Sequence, residues 1–403
     1  MDREAENPFH TPVDDTFEGT ESSRTAIVGD SPSILERDEL CIECRTIDFD
    51  DLFGGAKSND VSFDEMILRK KSNYVSERNL RKLQENSRCS LCRLIVATLA
   101  QEPLVVPLFA YASAVSIHLE SVLFGASSFS RGAWYQTSNW LRLTASDSSN
   151  VLVAKDRCFI QRLKAPLLKG LSTDSDCYLR GRAVAPELDI ALVKTWMHIC
   201  NDRHGGWCTP GLIQPGVPSL LIDIKEEMVV APPQHCRYAA LSYVWGLPND
   251  PQLKLTDETE ARLMAPRGLS ATWGDVPKTI LDAMALCKTL SIPHLWVDAL
   301  CMKQTPRGVS VDSNFQLTED MSNVYGAACL TIVGAAGENS WAGIPGLNRG
   351  SRTVLQQIEV VNGSVLASLQ PSSSRVIDPT KWHSRGWTFQ ESNLSHRLLI
   401  FTD

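Results

Sequence analysis

The chain has 403 residues, of which 43% are hydrophobic and 21% are charged, and this composition is typical of a globular protein large enough for two domains. The formal net charge is −8 and no Lys/Arg-rich run is present, so the sequence argues against a nucleic-acid-binding protein. The N-terminus lacks the apolar core of a secretory signal, and the longest uncharged apolar stretch is interrupted by Pro107 and is too short to span a bilayer. We therefore expect a cytoplasmic protein with no membrane partner.

The first 40 residues differ from the rest of the chain in charge. They hold eleven acidic and three basic side chains, which accounts for the whole net charge of −8. They are also rich in Pro, Ser, Thr and Glu, a bias typical of segments that cannot bury enough apolar surface to fold. The sequence predicts a disordered acidic tail over residues 1–40.

Residues 41–235 have the pattern of a smaller, mixed α+β region. Leucines and an isoleucine recur at helical spacing between Leu80 and Ile95. A second helix is predicted from about Pro186 to Cys200, with proline in the first turn. Between these helices, short β-rich runs separated by Gly, Ser and Asn predict antiparallel strands in VSIHLESVLFG, NWLRLTA and VLVAKDRCFIQRL.

Two pairs of cysteines in this region have the spacing of zinc knuckles. In a chain expected in the cytoplasm, the 12 cysteines are free thiols or metal ligands rather than disulfides. Four thiolates in two Cys-x-x-Cys pairs suit tetrahedral Zn²⁺. The sequence therefore allows a structural zinc site at Cys41, Cys44, Cys89 and Cys92, and the alternative is four buried thiols in a helical hairpin.

A third group of metal-ligand residue types follows the second predicted helix. Cys200, His204 and Cys208 are spaced four residues apart, but Gly205 and Gly206 would interrupt the helix that sets this spacing. We interpret the group as a capped helix end rather than a metal site.

Residues 236–403 alternate between strands and helices. AALSYVW and HLWVDALC are continuous apolar runs, as expected for strands buried on both faces, and a helix beginning near Pro277 lies between them. A helix with Thr318 as its N-cap, the strand CLTIVGAAG, a helix start in SRGWTFQE and the strand HRLLIFT follow. This alternation predicts an α/β fold with a flavodoxin-like parallel sheet wrapped by helices.

Ligands of such sheets bind at the carboxyl ends of the strands. The candidate binding residues therefore lie at or directly after the carboxyl ends of two of the predicted strands: Tyr243, Trp245 and Gly246 at the first, and Asp298 and Gln304 at the second. Two alternatives stay open. Asp298 can instead cap the turn after its strand, and Gln304 can bridge backbone groups of the loop.

The octapeptide SRGWTFQE, residues 384–391, allows two interpretations of its glutamate. If Trp387 to Glu391 is helical, the two side chains share a face and Glu391 is a candidate catalytic carboxylate beside an aromatic wall. Alternatively, Thr388 to Glu391 fits a capping box, in which the glutamate bonds to the backbone N–H of the cap residue.

Several long motifs resemble, in order, those of the fungal heterokaryon-incompatibility (HET) domain. They lie between about residue 236 and residue 403: YAALSYVWG, PKTILDAMALCKTLSIPHLWVDALCMKQ, MSNVYGAACLTIVGAAG, GIPGL and SRGWTFQESNLSHRLLIFT. The resemblance implies a role in non-self recognition and programmed cell death when genetically different fungal cells fuse. It also implies partners, namely other incompatibility or signalling proteins or further copies of the chain. A HET domain usually continues beyond the equivalent of Asp403, so we interpret residues 236–403 as a HET domain that is truncated at its C-terminus.

The HET domain is regarded as a distant relative of the Toll/interleukin-receptor (TIR) domain, and many TIR domains hydrolyse NAD⁺ with a helical glutamate. Ser384, Trp387 and Glu391 resemble that motif in keeping Trp and Glu four residues apart, although Thr388 stands where cysteine is usual. The resemblance implies that NAD⁺ is a substrate and that Glu391 is the catalytic residue. The strand-end residues Tyr243, Trp245, Gly246, Asp298 and Gln304, together with Trp387, are then the candidates for binding the nucleotide, because its rings need aromatic or apolar surfaces. Two alternatives stay open: a non-enzymatic, self-associating signalling module, or an inactive remnant.

Overall fold

The structure is a computed structural model. It describes residues 39–47, 49, 74–102, 105–126, 135–146, 158–163, 183–204, 208, 218–233, 236–247, 250, 252–304, 321 and 323–403. The predicted acidic tail lies outside the described residues, except for its last two positions, and so does the predicted N-cap Thr318. Among the described residues, no helix has the length and apolar character needed to cross a bilayer.

Strands and helices are both distributed along the described chain. The strands are β1 Tyr74–Asn79, β2 Ser116–Ala126, β3 Tyr135–Ser146, β4 Cys158–Arg162, β5 Leu221–Asp223, β6 Met228–Val230, β7 Tyr238–Tyr243, β8 His294–Trp296, β9 Leu330–Gly334, β10 Ile358–Val361, β11 Ser364–Ser368 and β12 Leu398–Phe401. The α-helices are α1 Ile42–Arg45, α2 Leu80–Glu85, α3 Ser90–Ala100, α4 Ile190–His204, α5 Glu260–Leu263, α6 Lys278–Thr289, α7 Asp298–Cys301, α8 Ser373–Ile377 and α9 Gly386–Leu394, and a 3₁₀-helix spans Val106–Ala114.

The first sheet has the order β1-β2-β3-β4-β11-β10, and each described pair in it is antiparallel. Strands β2, β3 and β4 lie in the three β-rich runs predicted from the sequence, whereas β1 was not predicted. Helix α3 packs its apolar face on the sheet, so that Leu91, Leu94 and Ile95 share one buried cluster with Leu141 and Ile160. This cluster is the hydrophobic core of the N-terminal part of the chain.

The last two strands of the first sheet come from a distant part of the sequence. Strands β10 and β11 form a hairpin whose turn residues, Asn362 and Gly363, both have positive φ, as a tight two-residue hairpin turn requires. Strand β11 then pairs with β4, with Leu366 opposite Arg162 and Ser368 opposite Ile160. Part of the region predicted as a separate domain therefore completes the N-terminal sheet.

The second sheet has the order β12-β9-β7-β8-β5-β6. Strands β8, β7, β9 and β12 are parallel, whereas β5 pairs antiparallel with both β8 and β6. The predicted α/β class is confirmed as a mixture of strands and helices, but the predicted flavodoxin/TIR-like parallel sheet is not confirmed because the sheet is mixed. The β5–β6 hairpin covers the edge of β8 that a shorter parallel sheet would leave open.

The register of the parallel strands brings their carboxyl ends to one edge. Tyr243 at the end of β7 pairs with Gly334 at the end of β9, and Gly334 pairs with Phe401 at the end of β12. Strand β8 ends earlier, since Trp296 pairs with Ala240. The next residues of that chain segment therefore continue toward the same edge, and they bring Asp298 level with the last residues of β7.

Candidate functional site

Helix α9 positions Glu391 in its interior rather than at its start. The helix begins at Gly386, and its N-cap residue, Arg385, makes no capping hydrogen bond with its side chain. The Thr388 hydroxyl donates to the Arg385 carbonyl at 2.6 Å, as helical Ser and Thr side chains often do. The capping-box interpretation of Thr388 and Glu391 is therefore wrong, because the helix starts two residues before Thr388.

The carboxylate of Glu391 contacts the central strand of the second sheet. Oε2 of Glu391 accepts a hydrogen bond from the hydroxyl of Ser242, which lies on β7 and is buried. The same hydroxyl oxygen accepts a hydrogen bond of 2.6 Å from Nε1 of the buried Trp382. The side chains of Trp382, Ser242 and Glu391 thus form a continuous hydrogen-bond chain in which Ser242 uses both its donor and an acceptor.

Arg385 brings a positive charge to this part of the site. Its guanidinium donates to the backbone carbonyl of Tyr243, the last residue of β7. Burial raises the pKa values of Glu391 and Asp298, and the charge of Arg385 opposes that rise.

Asp298 lies beside the end of β7, as the register requires. Its Oδ2 accepts a hydrogen bond of 2.8 Å from Nε1 of Trp245, and its Oδ1 accepts one of 2.7 Å from the Ala299 backbone N–H. The Gln304 amide donates to the carbonyls of Asp298 and Met302, which is the backbone-bridging arrangement considered from the sequence. Asp298, Trp245 and Gln304 are therefore connected at one strand-end loop.

Tyr243 and Gly246 shape the loop that leaves β7. The Tyr243 hydroxyl accepts a hydrogen bond of 2.8 Å from the Gln252 amide. Gly246 has a φ of +104°, and a Cβ atom there would lie 2.2 Å from Oδ2 of Asp250. Glycine is the residue that this conformation and this close approach permit.

Burial shifts the titration of both carboxyl groups. It raises the pKa of Glu391 above its usual value, against the opposing effects of the Ser242 hydrogen bond, the Arg385 charge and a hydrogen bond from Tyr325. It raises the pKa of Asp298 to about 6, and the negative charge of Glu391 adds to this increase. Two carboxyl groups with raised pKa values at a strand-end edge are typical of functional sites, although structural networks produce such shifts as well.

The predicted site residues do not all lie together. Glu391, Tyr243, Trp245, Gly246, Asp298 and Gln304 gather at the strand-end edge. Trp387 is 48% exposed, whereas Glu391 on the same helix is 3% exposed, so the indole is on a more solvent-facing part of α9. The aromatic side chain joined to the carboxylate through Ser242 is Trp382.

Sequence reasoning missed four side chains of this site: Ser242, Trp382, Arg385 and Tyr325. A signal existed for one of them, because Ser242 is a polar residue inside the apolar run AALSYVW, and buried hydroxyls require partners. No such signal marked Trp382 or Arg385, whose roles depend on contacts with a strand about 140 residues earlier.

The four cysteines of the two Cys-x-x-Cys pairs converge in the N-terminal part of the chain. Their Sγ atoms all lie within 4.8 Å of one another, with Cys44 and Cys92 at 3.7 Å and Cys41 and Cys92 at 3.9 Å. Cys89 is the N-cap residue of α3 and Cys92 is in its first turn, so the helix sets the positions of these two cysteines relative to each other. This cluster could hold a metal ion.

The fold and the site together define a protein with an α/β domain that carries a buried acidic site at the carboxyl ends of its parallel strands. Residues 238–391 match the family model described as Heterokaryon incompatibility protein (HET). This part of the chain is a HET domain, and the match ends at Glu391. Searches of curated proteins and of solved structures gave no significant match to the chain.

Proposed function

We propose that this HET domain protein acts in non-self recognition and programmed cell death in the cytoplasm, and that its strand-end site hydrolyses the N-glycosidic bond of NAD⁺. The observation that carries the enzymatic proposal is the pair of carboxyl groups, the buried Glu391 and the partly buried Asp298, beside the carboxyl ends of β7 and β8. The order of the four parallel strands supports it as well. Numbered along the chain, that order is 2-1-3-4, as in flavodoxin-like sheets, which bind ligands at this edge.

The chemistry requires a negative group beside the ribose. The bond between the ribose carbon and the nicotinamide nitrogen breaks, its electron pair leaves with nicotinamide, and water adds to the ribose carbon with release of a proton. Positive charge develops on the ribose before water adds, as in other glycosyl transfers. In the proposal, Glu391 stabilises this charge, the positive charge of Arg385 opposes the effect of burial on the Glu391 carboxyl group, and Trp245 offers an aromatic surface to a ring of the nucleotide.

The experiment is NAD⁺ consumption by the purified chain at high protein concentration, with Glu391→Gln beside the wild type. We expect turnover in the wild type and a loss of at least about 100-fold in Glu391→Gln, the order expected for a group that stabilises charge in the transition state. Glu338→Gln is the matched control, because Glu338 is exposed and its side chain lies outside the hydrogen-bond chain of Glu391. Equal turnover in Glu391→Gln and wild type, with unchanged melting temperatures, would exclude Glu391 as the catalyst.

The 3% exposure of Glu391 favours a second candidate function, a non-enzymatic module that self-associates. A carboxylate this buried serves packing as well as chemistry. Helix α9 also exposes two large aromatic side chains, Trp387 and Phe389, which are 48% and 72% exposed. Large exposed aromatic side chains are enriched at protein interfaces. If this function is correct, the wild type shows no NAD⁺ turnover, its mass in solution rises with concentration, and Phe389→Ser abolishes that rise.

We also propose that Cys41, Cys44, Cys89 and Cys92 hold a structural Zn²⁺. A tetrahedral site with Zn–S bonds of about 2.3 Å requires Sγ atoms about 3.8 Å apart. The distances of 3.7 and 3.9 Å to the Cys92 sulfur agree with that spacing. Zinc analysis tests the proposal: Cys44→Ser should lose one equivalent of zinc, whereas Cys287→Ser, which removes a buried thiol of α6, should retain it.

A further inference from the structure

A second group of ligand atoms converges at the end of helix α4, away from the four cysteines. Cys200 and His204 lie one helical turn apart on α4, so their side chains point to the same side of the helix. The Cys200 Sγ lies 3.3 Å from Nδ1 of His204 and 3.4 Å from the Cys208 Sγ. The distance between Nδ1 of His204 and the Cys208 Sγ is 3.3 Å. The three atoms thus form a nearly equilateral triangle.

We propose that Cys200, His204 and Cys208 bind a divalent metal ion of the zinc class. With bonds of about 2.3 Å to sulfur and about 2.0–2.1 Å to nitrogen, a tetrahedral ion requires ligand atoms about 3.6 to 3.8 Å apart. The observed triangle is smaller by a few tenths of an ångström, a change that rotation of three partly exposed side chains can supply. Two thiolates and one neutral imidazole also balance the charge of a divalent ion, and they are the ligands that zinc prefers over magnesium or calcium.

Three protein ligands leave one tetrahedral corner for water. This count differs from that of the four-cysteine cluster, in which every corner has a protein ligand. His204 is exposed and both cysteines are partly exposed, so solvent reaches the open corner. The two sites should therefore differ in how fast they release a bound metal ion, and we expect chelators to remove the ion from the Cys200 site first.

Arg397 provides the second layer of contacts around this site. Its guanidinium donates to Oδ1 of Asn201, the residue after Cys200. The backbone carbonyl of Arg397 accepts a hydrogen bond of 2.9 Å from the N–H of Thr331, on β9. A metal ion at Cys200, His204 and Cys208 would therefore fix the end of α4 against the edge of the second sheet where β9 and β12 begin.

The first experiment counts zinc ions by native mass spectrometry after reduction and reconstitution with zinc alone. The double variant Cys200→Ser/Cys208→Ser should bind one ion fewer than the wild type. Cys236→Ser is the control, because Cys236 is a partly buried thiol outside both clusters. His204→Ala should weaken the binding of the same ion at least about tenfold, whereas His198→Ala, an exposed histidine on the same helix, should not change it. An unchanged number of ions in the double variant overturns the proposal.

The second experiment uses only the wild type, so it still tests the proposal if the substitutions prevent folding. Thiol alkylation of the wild type is followed peptide by peptide, with zinc and with a chelator. We expect zinc to slow the alkylation of Cys200 and Cys208 at least about tenfold, since metal-bound thiolates are shielded. Equal rates in both conditions overturn the proposal, as does a Cys200–Cys208 disulfide whose reduction leads to no zinc uptake.

Discussion

The hydroxyl of Ser242 and the carboxylate of Glu391 are hydrogen-bonded across 149 residues of sequence. Ser242 lies on the central strand of the second sheet and Glu391 on the helix that precedes its last strand, so this bond fixes α9 to the sheet. The indole of Trp382 donates to the same hydroxyl. The role of Glu391 in chemistry or in packing depends on this serine in either case.

We predict that Ser242→Ala lowers the free energy of unfolding by about 2–4 kcal/mol. The substitution leaves the Glu391 carboxylate and the Trp382 N–H buried without this partner, and each such group costs about 1–3 kcal/mol. Urea unfolding at neutral pH measures the loss. Ser340→Ala is the control: Ser340 is fully buried, and its hydroxyl has no hydrogen-bond partner among the described residues, so this change should cost less than about 1 kcal/mol. Equal losses in the two variants would contradict the prediction.

We predict a pH-dependent effect of Asp298→Asn on stability. The pKa of Asp298 is about 6 in the folded chain, above the value of about 3.9 in an unfolded one. The folded state therefore binds more protons between pH 4 and pH 6, so the contribution of Asp298 to stability falls as the pH rises through this window and is constant above it. The free energy of unfolding of Asp298→Asn, taken relative to that of the wild type, should rise by about 2 kcal/mol between pH 4 and pH 7.

The measurement is a set of urea unfolding curves for wild type and variant at several pH values. Asp275→Asn is the control, because Asp275 is an exposed aspartate of the same domain. The difference in free energy of unfolding between this variant and the wild type should stay constant across the pH values. A constant difference for Asp298→Asn as well would show that its carboxyl group titrates normally.

We predict that Gly246→Ala destabilises the strand-end loop by about 1–3 kcal/mol, the usual cost of a strained backbone conformation. The φ of +104° is unfavourable for alanine, and the added Cβ would collide with the Asp250 carboxylate. That carboxylate accepts a hydrogen bond from the Leu247 N–H, which the collision would disturb. Gly274→Ala is the matched change, since no atom lies within 4 Å of its added Cβ. Thermal unfolding compares the two, and a larger loss in Gly274→Ala would refute the argument.

We predict that the ion pair of Arg93 and Glu359 couples α3 to the β10–β11 hairpin. Arg93 binds both carboxylate oxygens, at 2.7 and 2.9 Å, and the carboxylate is almost fully buried. Arg93→Ala should cost about 3–5 kcal/mol, because a buried charge is left unpaired. The double variant Arg93→Ala/Glu359→Leu should recover part of that loss in a double-mutant cycle.

The control for this pair is Arg81→Ala, which removes an exposed ion pair with Glu85 and should cost less than about 1 kcal/mol. Strict additivity of the Arg93 and Glu359 substitutions would show that the two side chains do not interact energetically.

The local elements of the fold were readable from the sequence. The apolar run that contains β7, the helix after Pro277 and the strand Leu398–Phe401 each have a local pattern that predicts them. The β10–β11 hairpin was missed, although Asn362-Gly363 between alternating apolar residues is a strong hairpin signal. Its pairing with β4 has no local signal, because a strand does not encode which distant edge it joins.

Part of the candidate site could also be predicted, because some of its residues belong to a local sequence pattern and others do not. The ends of the strands led to Tyr243, Trp245 and Asp298, because polar and aromatic residues follow apolar runs there. The spacing of Thr388 and Glu391 fits both a capping box and a helix interior, and only the start of the helix at Gly386 separates them. Trp382 could not be identified, because its contact with Ser242 exists only in the folded chain.

The pairing of β4 with β11 has a consequence for biosynthesis. About 200 residues separate the two strands, so β4 leaves the ribosome long before its neighbour has been made. At about 5–20 residues per second, that interval lasts roughly 10–40 s. During this time the open edge of β4 is free to pair with another nascent chain. Chaperone protection of this edge is therefore needed most before the HET domain has been fully synthesised.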